Sequence, residues 1–252
     1  MLTIIKRISA SVREGNFQTL FFELIVVAMG IFLGLQADQW YENRQDAERL
    51  EEYLERLMGN VQSDIDSLTD GIELTQTRLE MVDLLNLSVS NLNVAKEDPA
   101  NYLRALQQAT FRFGQGSSAR DATFNELTST GDMRLIPIEV RDKIYEYYKI
   151  VEDRGYFVES VNGIQAESNR RFAGILVLGD LETALALNSP NNHPETLTSR
   201  AVAAAERFRN TEEAIVWLAE LATMHRLEIG ISSRRLGIAK DMVVALEEKL
   251  GG

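Results

Sequence analysis

The 252-residue sequence has no cysteine, four prolines and two histidines. Without cysteine the chain can form neither a disulfide nor a thiolate metal or redox site. His193 and His225 lie 32 residues apart without a metal-ligand pattern around them, so we predict no metal site. The scarcity of proline and the abundance of alanine, leucine and glutamate favour helices.

A basic surface is also missing. The formal net charge is −12, whereas proteins that bind nucleic acid need lysines and arginines for the phosphates. We therefore exclude a nucleic-acid partner. The length allows one large domain or two small ones with a sizeable core.

Recognisable catalytic motifs are absent from the sequence. It contains no Gly-x-Ser-x-Gly, phosphate-loop or paired-histidine pattern, and the glycines of Gly114–Ser118 lack the lysine that a phosphate loop needs. Carboxylates are abundant, but none outside the apolar segment stands in apolar surroundings. We predict that the protein is not an enzyme and has no catalytic residue and no cofactor.

What the chain does contain is one long apolar segment, Leu20–Trp40. Its uninterrupted core, Leu24–Leu35, is twelve residues long, and its flanks extend it to about 18, near the lower limit for a spanning helix. A cleaved signal peptide is the alternative, with residues 35–37 as the cleavage site. We favour a retained transmembrane helix over 18–40, because the helical pattern continues beyond it and Glu23 is unusual in a signal peptide.

Charge is distributed unevenly on the two sides of this segment. Residues 1–18 carry three basic groups and one acidic group, whereas residues 38–80 carry twelve acidic and four basic groups. The positive-inside rule then predicts a cytoplasmic N-terminal tail over 1–17. In a bacterium with two membranes, the protein would be a single-pass inner-membrane protein with a periplasmic domain over 41–252.

Residues at the two ends of the segment are predicted to contact membrane lipid. Lys6, Arg7 and Arg13 lie on the basic side of a short amphipathic pattern, which suits a helix on the inner membrane surface. A loosely ordered tail is the alternative. Trp40 and Tyr41 lie where an outer aromatic belt is expected.

Three residues within the segment are candidates for helix association. Gly30 and Gly34 form a small-xxx-small pair, which lets two helices approach closely, although glycine is also common in membrane helices. Glu23 either lies among the headgroups or pairs with a basic group of a partner. We predict a homo-oligomer or a larger membrane complex.

The remainder of the chain is predicted to be helical. Apolar residues recur every three or four positions from Leu50 to Ile72, and the stripe resumes from Leu79 to Leu92. Further helices are predicted to begin at Pro99, near a capping box at Thr123 (or a cap at Asp121), after Pro137 and near Glu195. We expect a loop over 179–194, a break near Asn210, and apolar inner faces that include Ile138, Val140, Ile144, Phe208, Ile215, Leu218 and Leu227.

Two parts of the sequence carry a family resemblance. They are Glu23–Gln36 with Trp40–Asn43, and Phe124–Ile136 with the Tyr-Tyr helix around Tyr147 and Tyr148. Together they resemble an uncharacterised family of bacterial single-span membrane proteins, although a tyrosine follows Trp40 where the family has asparagine. The resemblance implies a single span followed by a periplasmic all-helical domain. It implies no chemistry. We predict an all-α fold in which the single N-terminal transmembrane helix continues into a periplasmic antiparallel helical bundle, because short-loop bundle topology favours an antiparallel return.

The sequence thus supports two function hypotheses. The first is a non-enzymatic, membrane-anchored scaffold or accessory subunit. The second is a periplasmic ligand-sensing bundle that acts through a partner protein, with a pocket lined by groups such as Arg134, Tyr148 or Arg170. An enzyme would instead need convergent carboxylates with raised pKa values in a cleft.

Overall fold

The computed structural model describes residues 17–109, 120–176, 178–185, 187 and 193–251. This part of the chain is helical and contains no strand, which confirms the predicted all-α class. Its helices are α1 (Phe17–Ser90), α2 (Asn93–Glu97), α3 (Pro99–Gln108), α4 (Ala122–Thr130), a 3-10 helix (Asp132–Leu135), α5 (Ile138–Ile175), α6 (Leu178–Leu185), α7 (Pro194–Arg209) and α8 (Ala214–Leu250). The chain divides into two compact units, residues 1–54 and 55–252.

The first unit contains the N-terminal part of α1. Its apolar side chains are exposed, as at Phe22 (66%) and Val26 (69%). By length and composition α1 is the single candidate membrane-spanning helix among the described residues, and its most apolar window has no buried residue.

The second unit has a buried core to which α1 contributes its later turns. Leu57, Val61, Ile65, Leu68 and the later pair Val82 and Leu85 are all buried, as the apolar stripe predicted. A dense aromatic group lies in this core, where the ring centroid of Phe172 is 4.3 Å from that of Trp217 and 5.5 Å from that of Phe208. Aromatic contacts of this kind link α5, α7 and α8.

Local signals set several helix ends. Asp98 caps α3 by accepting a hydrogen bond from the Asn101 backbone N–H (3.0 Å), and Pro99 occupies the first turn, as predicted. Gly131 ends α4 with a left-handed φ of 80°, which favours glycine. The capping box at Thr123 is wrong, because Asp121 is the cap residue and the Thr123 hydroxyl accepts a hydrogen bond from Asn60 (2.9 Å).

The second half of the chain corrects further expectations. The prediction of a loop over 179–194 is wrong for its first part, because Leu178–Leu185 forms α6. Asp180 of α6 is buried and bonded to Arg207 of α7. A local sequence pattern does not reveal this partner. The predicted break is confirmed, since α7 ends at Arg209 and α8 begins at Ala214. Three residues predicted to face inward are instead exposed: Ile138 (57%), Ile215 (53%) and Leu227 (51%). Gly114–Ser118 lies outside the described residues.

Candidate functional site

Three helices bring charged and polar side chains together in the interior of the second unit. Asp64 of α1, Tyr147 of α5 and Arg235 of α8 are each at most 1% exposed. Burying a charge is unfavourable unless it is paired and hydrogen-bonded. The contacts of these three residues, which we call the buried charged layer, therefore decide whether they are structural or reactive.

The Asp64 carboxylate is the centre of this layer. The Tyr147 hydroxyl donates to Asp64 Oδ2 (2.7 Å), and the backbone N–H of Arg120 contacts the same carboxylate at 3.3 and 3.4 Å. Arg235 Nη2 lies 3.8 Å from Asp64 Oδ2 and donates to the Tyr147 hydroxyl (3.3 Å). Burial raises the pKa of Tyr147 above its usual range, so its hydroxyl remains a proton donor to the carboxylate.

Tyr148, the neighbour of Tyr147, ties α5 to α4. Its ring stacks on Phe124 with centroids 4.1 Å apart, and its hydroxyl donates to the Arg120 carbonyl (3.0 Å). Burial raises the pKa of Tyr148 as well. Both tyrosines are therefore buried in the core and also hold polar partners.

A second ion pair continues along α5 and α8. Arg154 Nη2 donates to Glu228 Oε1 at 2.6 Å, and Ser232 Oγ contacts the same oxygen at 3.4 Å. Both charged side chains are about nine-tenths buried. This pair adds a further polar link between the two helices.

His225 lies on α8, three residues before Glu228, and is 2% exposed. Burial, assisted by the positive charge of Arg78 on α1, lowers its pKa to about 4. The imidazole is therefore neutral at ordinary pH. Among the described residues no group of three or more metal-binding side chains is present.

The chemistry that this layer offers is limited. Asp64 already receives hydrogen bonds and a guanidinium, and a tyrosine of raised pKa is a poor general base. Buried ion pairs of this kind contribute little net stability, and their best-supported use is to specify which helices meet and in what register. The layer therefore fits a structural role better than a catalytic one.

The predicted membrane-helix residues lie on the exposed surface of α1 or at its edge. A Cβ added at Gly30 or Gly34 would meet no atom within 4 Å. Glu23 is half-buried, and its Oε2 has no hydrogen-bond partner among the described residues. Trp40 and Tyr41 are each 66% exposed. Lys6, Arg7 and Arg13 lie outside the described residues.

The pocket residues suggested for a sensor do not converge. Tyr148 and Arg170 are 22 residues apart on α5, which corresponds to about 33 Å along a helix. Arg170 is exposed and pairs with Glu167 (3.3 Å), and Arg134 is also exposed. These three residues therefore do not line one common pocket, and the sensor hypothesis stays a prediction.

Asp64 and Arg235 were not identified by sequence reasoning. A signal was available for Asp64, which lies between Val61 and Ile65 within an otherwise apolar stripe. Such a charge on a packed face predicts a buried partner. The partner itself could not be named, because Arg235 is 171 positions away.

The fold and these contacts define the class: an all-helical protein with one candidate membrane-spanning helix and a helical unit with buried charges. Comparisons of the chain with known protein families, with curated proteins and with solved structures found no match.

Proposed function

We propose that this protein is a non-enzymatic, membrane-anchored scaffold or accessory subunit that self-associates or joins a larger complex of the bacterial inner membrane. One observation carries the proposal. The apolar side chains of residues 21–35 are exposed along α1, so an environment outside the chain has to cover them. A lipid bilayer, with a partner helix in it, is that environment.

The free-energy cost of exposing apolar side chains to water supports a bilayer environment for this segment. Leaving a large apolar side chain in water instead of burying it costs about 1.5–3 kcal/mol. The segment contains a dozen consecutive apolar residues and no charge after Glu23 until Asp38. With its flanks the segment reaches about 18 residues, or about 27 Å of helix, which is near the lower limit for spanning a bilayer core.

In this proposal residues 41–252 form a periplasmic antiparallel bundle. Charge asymmetry supports the orientation, since the tail before the span is basic and the chain after it is acidic. Contact pairs support the antiparallel arrangement of α1 and α8, because Asp64 contacts Arg235 whereas the later Asp83 contacts the earlier Arg226. The same reversal occurs in α5 and α8, where Tyr147 contacts Arg235 and Arg154 contacts Glu228.

The internal pairing of the polar groups favours a scaffold over an enzyme. The carboxylates in the second unit's interior have protein partners, and a rigid bundle is what a scaffold presents. In the span, Gly30 and Gly34 offer the close-approach face, and Glu23 offers a carboxylate that a basic group of a partner would neutralise.

The test is the native mass of whatever contains the chain after extraction into a mild detergent. We expect a mass well above the 28.4 kDa of one chain, either a multiple of it or a complex with a co-purifying protein. A Gly30→Ile, Gly34→Ile double variant is expected to lower that mass, whereas Ala28→Ile on the opposite face of the helix is the matched control and is expected to leave it unchanged.

A clean monomer under the mildest extraction would contradict the scaffold proposal. Glu23→Gln tests the paired carboxylate separately, and unchanged assembly in that variant would leave Glu23 as a headgroup-level residue only.

The second candidate, a ligand-sensing bundle that acts through a partner, is favoured by a different observation. A groove lies between α5 and α8 and is lined by a cation, Arg234, that forms no ion pair with a described residue; Arg134, Tyr148 and Arg170 are not among its lining residues.

A further inference from the structure

A groove of about 320 Å³ lies between α5 and α8 in the second unit. Ile150, Ile231 and Ile238 give it an apolar lining, and side chains of both charges complete it: Glu146, Lys149, Asp153, Arg154 and Arg234. Small-molecule sites are typically a few hundred cubic ångströms, mostly apolar, with a few polar groups that orient the ligand. The groove is at the small end of that range.

The charges around the groove are largely committed to protein partners. Lys149 pairs with Asp153 (3.7 Å), Arg154 pairs with Glu228 (2.6 Å), and Glu146 pairs with Lys143 (3.2 Å). Arg234 is the exception, since it forms no ion pair with any described residue. One lining cation is therefore left for a ligand.

Arg154 is the second arginine at the groove, but it does not offer a ligand contact of the same kind. Its side chain is 11% exposed and pairs with Glu228, and its Nε is buried. An anion in the groove would therefore contact Arg234 and not Arg154.

We propose that this groove binds a small aliphatic carboxylate, with its chain against the three isoleucines and its carboxylate at Arg234. A cation is disfavoured, because the lining carboxylates Glu146 and Asp153 already pair with lysines and Arg234 would repel it. An inorganic anion would leave the isoleucines uncovered, and a neutral alkane would leave Arg234 without a partner. A monoanionic amphiphile contacts the isoleucines and Arg234 together.

This inference deepens the sensing candidate and is independent of the scaffold proposal. Binding of a carboxylate requires neither self-association nor a partner protein. The mass measurement above and the binding measurement below can therefore fail separately.

The probe is hexanoate, titrated into the full chain held in lipid nanodiscs and followed by saturation-transfer NMR of the ligand. Nanodiscs without protein give the signal from lipid partitioning. We expect saturable binding of hexanoate, weaker binding of hexanol and the weakest binding of hexylammonium. Arg234→Gln is expected to weaken hexanoate binding about fivefold, as for one exposed charge-assisted contact.

Lys240→Gln is the matched control, because Lys240 is an exposed cation of the same helix that does not line the groove. It is expected to bind hexanoate like the original protein. Ile231→Trp is expected to fill the groove and abolish saturable binding while the helical circular-dichroism signal is retained. Equal affinity in Arg234→Gln and the original protein, or hexanol binding as tightly as hexanoate, would overturn the proposal, and so would the absence of saturable binding.

Discussion

Residues 21–35 and the buried charged layer both depart from the usual rule that apolar side chains are buried and charged ones are exposed. In the first region large apolar side chains are exposed, with Val26 at 69%, and in the second Asp64 and Arg235 are each 1% exposed. The difference lies in where the compensating groups come from. The chain supplies the partners of its buried charges, whereas no described residue buries the apolar side chains of residues 21–35.

This difference has an energetic consequence. A buried ion pair is costly to break, because one member is left uncompensated, yet replacing both members by apolar groups is often neutral or stabilising. An exposed apolar helix is costly only in water. The layer should therefore tolerate the replacement of both charges by apolar side chains, whereas residues 21–35 should not tolerate the introduction of a charge.

The largest expected effect follows from removing one member of the buried pair. Asp64→Ala leaves Arg235 buried without its carboxylate, and we expect the free energy of unfolding to fall by about 3–5 kcal/mol. Chemical denaturation of the detergent-solubilised chain measures it. Asp83→Ala is the matched control, because Asp83 pairs with Arg226 at 3.5 Å across the same two helices but is 53% exposed, and it should cost about 1 kcal/mol or less.

The double variant Asp64→Leu, Arg235→Met is expected to recover most of the stability lost in Asp64→Ala. A loss in Asp64→Ala no greater than in Asp83→Ala would show that the layer does not hold these helices together.

The next effect concerns polarity in the apolar segment. Met29→Arg places a charge near the middle of the predicted span, and it should raise the free energy of membrane insertion by about 2.5–3.5 kcal/mol. The measurement is the fraction of protein retained in membranes after carbonate extraction. Met29→Leu is the control, and unchanged retention of the arginine variant would argue that residues 21–35 are covered by something other than lipid.

A smaller effect isolates one hydrogen bond of the layer. Tyr147→Phe removes the hydroxyl that donates to Asp64 and accepts from Arg235, and we expect a loss of about 1.5–3 kcal/mol in the free energy of unfolding. Tyr145→Phe is the control on the same helix, since Tyr145 is 45% exposed. If the two variants are equally stable, the hydroxyl of Tyr147 does not stabilise the buried charged layer.

The last effect is a slope with pH, which is the smallest of these effects when it is expressed per pH unit. The pKa of His225 is about 4 in the folded protein and about 6.5 when unfolded, so the unfolded chain binds more protons between these values. Stability contributed by the neutral imidazole is complete above about pH 6.5 and is lost as the pH falls towards about 4, at up to about 1.4 kcal/mol per pH unit. His225→Gln should show a flatter dependence of unfolding free energy on pH. Parallel curves would contradict the buried neutral histidine.

The elements that the sequence predicted well are those set by nearby residues. The stripe from Leu57 to Leu68 is buried, and the first turn at Pro99 and the end at Gly131 are where local chemistry places them. Periodicity and turn residues act within a few positions, so one sequence suffices to read them.

What the sequence could not predict depends on partners far along the chain. The helix α6 replaced a predicted loop because Asp180 contacts Arg207, and Thr123 is bonded to Asn60 instead of capping its own helix. Ile215 and Leu227 fit an apolar stripe but are exposed, since periodicity alone does not say which side of a helix its neighbours occupy. The groove at Arg234 required knowing that α5 and α8 are neighbours.

The most direct test of the account is the accessibility of single cysteines to a membrane-impermeant maleimide in spheroplasts, which is clean because the chain has no other cysteine. The account predicts that Gln62→Cys reacts in intact spheroplasts, that Ser9→Cys reacts only after lysis, and that Ala28→Cys stays unreactive until the protein is unfolded. Reaction of Ala28→Cys as fast as Gln62→Cys in intact membranes would contradict the claim that the exposed apolar segment lies in a bilayer.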